Sequence, residues 1–139
     1  MTDKKAKLES KAKKFIKQEY VIWLTTVGFD LAPQPRSVWF IGDNDSFLIF
    51  SQLHPHKLKH INEHPTVSLH FNADKTADEG VIVSLGTAKI DPSVPPAHQV
   101  PAYLKKYKAG IKALGATPEQ FSQEYSVAIR VTPTALRGW

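Results

Sequence analysis

Leu8, Ala12, Phe15 and Ile16 recur at helical spacing and leave the lysines around them on the opposite side, which predicts an amphipathic helix over residues 1–19. From residue 20 the period changes. "YVIWLTTV" (20–27) is β-branched and aromatic, "GFD" is turn material, "RSVWFI" (36–41) reads as a second strand ended by "GDND", and "SFLIFSQ" (46–52) as a third. Together they predict an antiparallel meander. In "TVSLHFN" (66–72) Val67, Leu69 and Phe71 alternate onto one face, and "VIVSLGTAKI" (81–90) and "YSVAIRV" (125–131) bring the expected strands to six. Such a set closes most readily into a small barrel, because closure removes open sheet edges.

Two helical segments interrupt these strands. The first, Pro55 to Glu63, begins with a proline in the first turn, where a missing N–H costs nothing. The second follows the proline-rich "DPSVPPAHQVP" and carries Tyr103, Leu104, Tyr107, Ile111 and Leu114 at helical spacing. "TPEQF" then restarts a short helix, with Thr117 as N-cap and Gln120 in capping-box position. No linker, repeat or low-complexity tract divides the chain. The expectation is one mainly β domain over 1–139, a barrel with flanking helices and a helical insertion over 97–124.

Composition narrows the class. A chain of 139 residues is long enough to bury ~68–70% of its unfolded surface, and it contains no cysteine, so disulfides, thiolate metal sites and cysteine nucleophiles are excluded. "MTDKKAKLES" lacks the apolar core of a signal peptide, and no apolar run approaches the ~18 residues of a membrane span. A cytoplasmic protein is expected, with no membrane partner. The net charge of +5 is concentrated: the first nineteen residues hold seven lysines against Asp3, Glu9 and Glu19. Two readings of that segment stand side by side, a solvated helix packed by its apolar stripe and a basic arm for an anionic partner. Nucleic acid is disfavoured as a partner, because the strands show no basic-aromatic stripe.

Candidate chemistry concentrates in "FSQLHPHKLKHINEHPTVSLHF" (50–71), which holds five of the six histidines. A strand ends at Ser51-Gln52, a tight passage follows, and a helix begins whose first turn contains His56 and Lys57. Unpaired N–H groups at a helix start, a strand-end hydroxyl and amide, and a lysine form an anion site suited to phosphate. Lysine in a first turn is also commonly just solvated. His56 and His60 are spaced to share a metal, yet no third ligand converges on them, so no metal is expected. His54 and His56 are expected to flank the anion. Asp30, Asp43 and Asp45 sit in turns, and neither a spaced carboxylate pair nor a serine-histidine elbow stands out, so no catalytic side chain is assigned.

"PQPRSVWF", "SFLIFSQLHPHKLKHINEHPTVSLHF", "GTAKIDP" and "YSVAIRVTPTALRGW", in this order, resemble the pyridoxamine 5′-phosphate oxidase-related split barrels, a flavin and deazaflavin oxidoreductase superfamily. More narrowly the chain resembles a subgroup of small proteins held to depend on coenzyme F420. The resemblance implies a six-stranded antiparallel split barrel, a homodimer, and F420 or FMN in a groove at the subunit interface, where it reduces a small organic acceptor. It also implies site residues: Ser51, Gln52 and Lys57 for the phosphate, with His56 where an arginine often stands, and Arg36 as a further phosphate contact. A second basic residue expected at the end of that strand is Ile41 here. The backbone of Ser37, Val38 and Trp39 would lie along the ring, and the C-terminal "RGW" resembles a tail that brings Trp139 to the partner's site. Members of this fold that bind flavin, deazaflavin or haem without turnover supply the alternative, a storage or sensing protein.

Overall fold

Helix α1 (Thr2–Gln18), strands β1 (Ile22–Val27), β2 (Pro33–Val38), β3 (Ile41–Asp43) and β4 (Ser46–Ser51), helix α2 (Pro55–Glu63), strands β5 (Thr66–His70) and β6 (Ile82–Ile90), helices α3 (Pro101–Ala113) and α4 (Pro118–Glu124), and strand β7 (Val127–Gly138) follow one another in the computed structural model, which describes residues 2–73, 75–76 and 80–139. A 3-10 turn, Ala97–Gln99, precedes α3. The strands form one antiparallel sheet in the order β2-β1-β5-β6-β7-β4-β3. It is a half-barrel: β2 and β3, adjacent in the chain, lie at its two opposite edges.

The described strands therefore number seven, and the six expected from the sequence are corrected at one place. The stretch read as a single strand over 36–41 breaks at Trp39-Phe40. There a side chain takes over the role of a neighbouring strand: the Phe40 N–H donates to Tyr107 Oη at 2.7 Å, and Lys106 Nζ donates to the Phe40 carbonyl at 3.1 Å. The chain on one side of this corner joins β1 and on the other side joins β4. The expected meander is split in the same way. β2 also starts earlier than expected, at Pro33, because an edge strand tolerates the prolines at 33 and 35 that a central strand would not.

The last strand is also longer than its sequence suggests. β7 pairs with β6 over its whole second half, passes a bulge opposite Leu85 and Gly86, and continues until Trp139 exchanges two hydrogen bonds with Val81, at 2.8 and 3.2 Å. The C-terminal "RGW" is thus part of the sheet and not a free tail.

Two apolar cores share β4. Phe47 and Ile49 face the interior of the half-barrel with Ile22, Leu24, Phe40, Leu69, Phe71 and Val131, and α1 and α2 close it with Ala12, Phe15 and Ile61. Leu48 and Phe50 face the other way, into a cluster with Tyr103, Tyr107 and Ile111 of α3 and Phe121 of α4. Burial on both faces explains why "FLIF" is an unbroken apolar run where a half-exposed strand would alternate. The α4 start has both halves of its capping box, Thr117 Oγ1 accepting from Gln120 N–H and Gln120 Oε1 from Thr117 N–H.

Arg130 on β7 binds the outer ends of this second layer. Its guanidinium reaches Asp91 and Asp43 at 3.0 Å each and Ser46 Oγ at 2.8 Å. Hydrogen bonds from Ser93, then from Arg130, lower the Asp91 pKa to about 2. A depressed carboxylate contributes stability above its unfolded pKa of ~4 and loses it as pH falls through the folded value. Melting temperature is expected to drop between pH ~4 and ~2 more steeply in the wild type than in Asp91→Asn. Equal slopes in thermal melts of the two proteins would contradict this.

Candidate functional site

A groove of about 330 Å³ opens where β2, the end of β4, the start of α2 and the helices α3 and α4 meet. Strand β4 ends in it. Ser51, buried and paired with Val127 at the end of the strand, donates its hydroxyl to the Gln52 carbonyl at 3.0 Å. The Gln52 amide donates to Glu124 Oε1 at 2.7 Å, and its oxygen lies 3.0 Å from His54 Nε2, so both ends of this side chain are fixed. The chain then turns tightly, His54 N–H donating to the Gln52 carbonyl at 2.9 Å, and α2 begins.

That helix start has no capping side chain and no acidic residue in its first turn. Its first-turn N–H groups and the positive end of its dipole are therefore available to an anion. Lys57 lines the groove from this first turn, and Arg36 lines it from β2 across the gap. Burial, and then the charge of Arg36, hold the Lys57 ammonium below the ordinary lysine range. Among the described residues neither cation has a carboxylate partner within ion-pair distance. Two like charges thus face one concave space without neutralisation.

The groove also has an aromatic wall. Trp39 stacks on Tyr107 with ring centroids 4.6 Å apart and 6° between planes, and on Phe121 at 5.7 Å. Gly110 lets it lie there, since a β-carbon at 110 would come within 2.9 Å of the indole. Phe50, Tyr103, Phe121 and Tyr125 continue the wall. Of these only Tyr103 belongs to the helical stripe of α3, Phe50 coming from β4, Phe121 from α4 and Tyr125 from its C-cap, and no local signal in the sequence separates wall residues from buried ones.

Of the residues singled out from the sequence, the groove gathers Arg36, Ser37, Val38, Trp39, Ser51, Gln52 and Lys57. It does not gather His56 or Trp139. His56 is exposed on α2, and the residue that lines the groove is His54, at the N-cap. Trp139 lies at the far end of β7 from Val127 and is 78% exposed. Ile41 is buried in the second core, facing Leu48 across β3 and β4. His70 stacks on Trp23 at 6.2 Å, and among the described residues no three histidine or acidic side chains converge as metal ligands.

A second cavity, of about 640 Å³, is lined by α1, with Lys13 and Lys17, and by residues of the sheet and of the β3–β4 turn, with Asp43 and Asp45. No lysine of α1 lines the first groove. Among the described residues no helix is long and apolar enough to cross a membrane.

The pyridoxamine 5′-phosphate oxidase family matches residues 8–139. No curated protein matches significantly. Among solved structures, a conserved hypothetical protein from Mycobacterium tuberculosis superposes with a TM-score of 0.76 at 19% identity, covering 94% of this chain and 83% of that one. An F420 reductase superposes with a TM-score of 0.65 at 20% identity over 90% and 94%. The haem storage protein HutZ from Vibrio cholerae gives 0.62 at 17% over 94% and 93%. These likenesses establish a fold shared with proteins named for different roles. With 8–139 matched and this half-barrel in place, the chain belongs to the pyridoxamine 5′-phosphate oxidase family.

Proposed function

We propose that this protein is a dimeric oxidoreductase that holds FMN or the deazaflavin F420 in the groove between β2, β4 and α2 and reduces a small organic acceptor. The observation that carries this reading is the unneutralised pair Arg36 and Lys57 beside the open start of α2, opposite an aromatic wall. A molecule that joins a phosphate to a planar ring matches both features. In this reading Lys57, Arg36 and the first-turn N–H groups hold the phosphate, and Ser51 and the pinned Gln52 shape its seat. Pro33 and Pro35 have no N–H, so the strand's alternation leaves the N–H of Ser37 on the outer side of β2, free to donate to the ring.

Bound there, the cofactor would supply the hydride or electron chemistry, and the protein would orient the ring and keep water away. No acid or base of the chain is assigned a proton. F420 carries an oligoglutamate tail beyond its phosphate; no lysine of α1 lines the groove, and Lys13 and Lys17 line the other cavity, so in this reading the basic surface for that tail comes from the α1 of a second chain. The groove therefore fits the part that FMN and F420 share. Trp139, exposed and far from its own groove, is proposed to reach the groove of a partner subunit.

The test is direct. Purified protein is expected to sediment as two chains at micromolar concentration, to bind FMN or F420, and to oxidise the reduced cofactor with quinones or nitro compounds. A monomer that binds cofactor as tightly would overturn the shared site. Tight binding without turnover on any acceptor would turn the reading to storage.

A further inference from the structure

Two tyrosines one turn apart on α3 are treated in opposite ways. Tyr107 Oη accepts the Phe40 N–H at 2.7 Å and lies within 2.8 Å of the carbonyls of Tyr20 and Phe40, so its bonding capacity is used inside the fold. Tyr103 is fully buried, and its Oη is the one buried side-chain polar atom among the described residues with no hydrogen-bond partner. A phenylalanine would fill the same volume. An unpaired buried hydroxyl lowers stability and returns nothing to the isolated fold.

The surroundings of Tyr103 point to where its partner comes from. Phe50 at 4.9 Å, edge-on, and Tyr107 at 4.8 Å clamp its ring, so it cannot swing to another acceptor. It lines the groove on the aromatic wall, with Trp39 and Phe121. We propose that Tyr103 is a ligand-positioning residue: its hydroxyl donates a hydrogen bond to a carbonyl oxygen or unprotonated nitrogen on the planar ring system held in the groove. This rests on the reading of the groove given above and adds to it a chemical requirement, that the ring carry an acceptor on the edge turned toward α3. Burial, and then the neighbouring Tyr107 and Tyr125, raise the Tyr103 pKa, so the phenol is a neutral donor across the ordinary pH range. A buried donor of this kind discriminates strongly against rings that lack the acceptor.

The test compares Tyr103→Phe with the wild type in the full chain, using FMN and F420 as probes and inorganic phosphate as a competitor. The variant is expected to melt at the same temperature or higher without ligand and to bind phosphate unchanged. It is expected to hold FMN or F420 about tenfold more weakly, the effect of one hydrogen bond. Unchanged cofactor affinity would overturn the role of Tyr103, and so would a marked loss of stability in the ligand-free variant, which would mean the hydroxyl already has a partner. If Lys57→Met weakens the cofactor and Tyr103→Phe does not, the groove reading survives and this inference fails. If the wild type binds neither cofactor, both fail together.

Discussion

Lys57→Met is expected to weaken binding of FMN or F420 by ~1.5–3 kcal/mol, or roughly 10- to 150-fold, the loss that follows removal of a hydrogen bond to a charged group. Ser51→Ala should cost less, about 0.5–1.5 kcal/mol, because its hydroxyl is a neutral donor already shared with the Gln52 carbonyl. Stability of the ligand-free protein should move the other way. The Lys57 pKa is held down by burial and by Arg36, so the unfolded chain binds its proton more tightly than the folded one. Stability therefore rises with pH through the window between the folded and unfolded values, and methionine at 57, which keeps most of the stem, removes that rise. A folded Lys57→Met variant with wild-type affinity in a fluorescence titration would take away the phosphate role.

Tyr107→Phe is expected to destabilise the protein by about 1–3 kcal/mol, although it deletes a single atom. Among the described residues that oxygen is the only hydrogen-bond partner of the Phe40 N–H at the corner between β2 and β3, and Phe40 is fully buried. Removing it leaves a buried donor unpaired where the sheet divides. Trp39 stacks on the same ring, so the corner that loosens is also a wall of the groove. Denaturant unfolding should show the midpoint of Tyr107→Phe falling and that of Tyr103→Phe holding or rising. Equal responses at the two positions would mean that the two hydroxyls do not differ in how they are satisfied.

Much of the architecture could be read from short-range signals. The α2 limits, Pro55 and Glu63, and the α4 capping box follow from residues within one turn of each other. Ser51 and Lys57 could be placed together because a strand end and a helix start six residues apart leave the chain little choice. The break at Trp39-Phe40 could not be read, since what replaces the ladder there is a hydroxyl 67 residues away. Arg36 and Lys57 facing the same space depends equally on how β2 and α2 come to lie across a gap. Of the two histidines expected beside the anion, His54 at the N-cap lines the groove and His56 in the first turn is exposed, a difference set by helix geometry that two residues of spacing do not reveal. The length of β7 was hidden by Pro133, which reads as a strand end but sits at the bulge opposite Gly86.

The central claim is that the Arg36–Lys57 end of the groove recognises the phosphate of a flavin or deazaflavin. Fluorescence titration of the wild type with FMN against riboflavin, and with F420 against its phosphate-free chromophore, tests it most directly. At least one phosphate-bearing form is expected to bind ten times or more tightly than its phosphate-free partner, with the gap narrowing in Lys57→Met and at high salt as the exposed Arg36 is screened. Equal affinities within each pair, or no binding of any of the four, would contradict it.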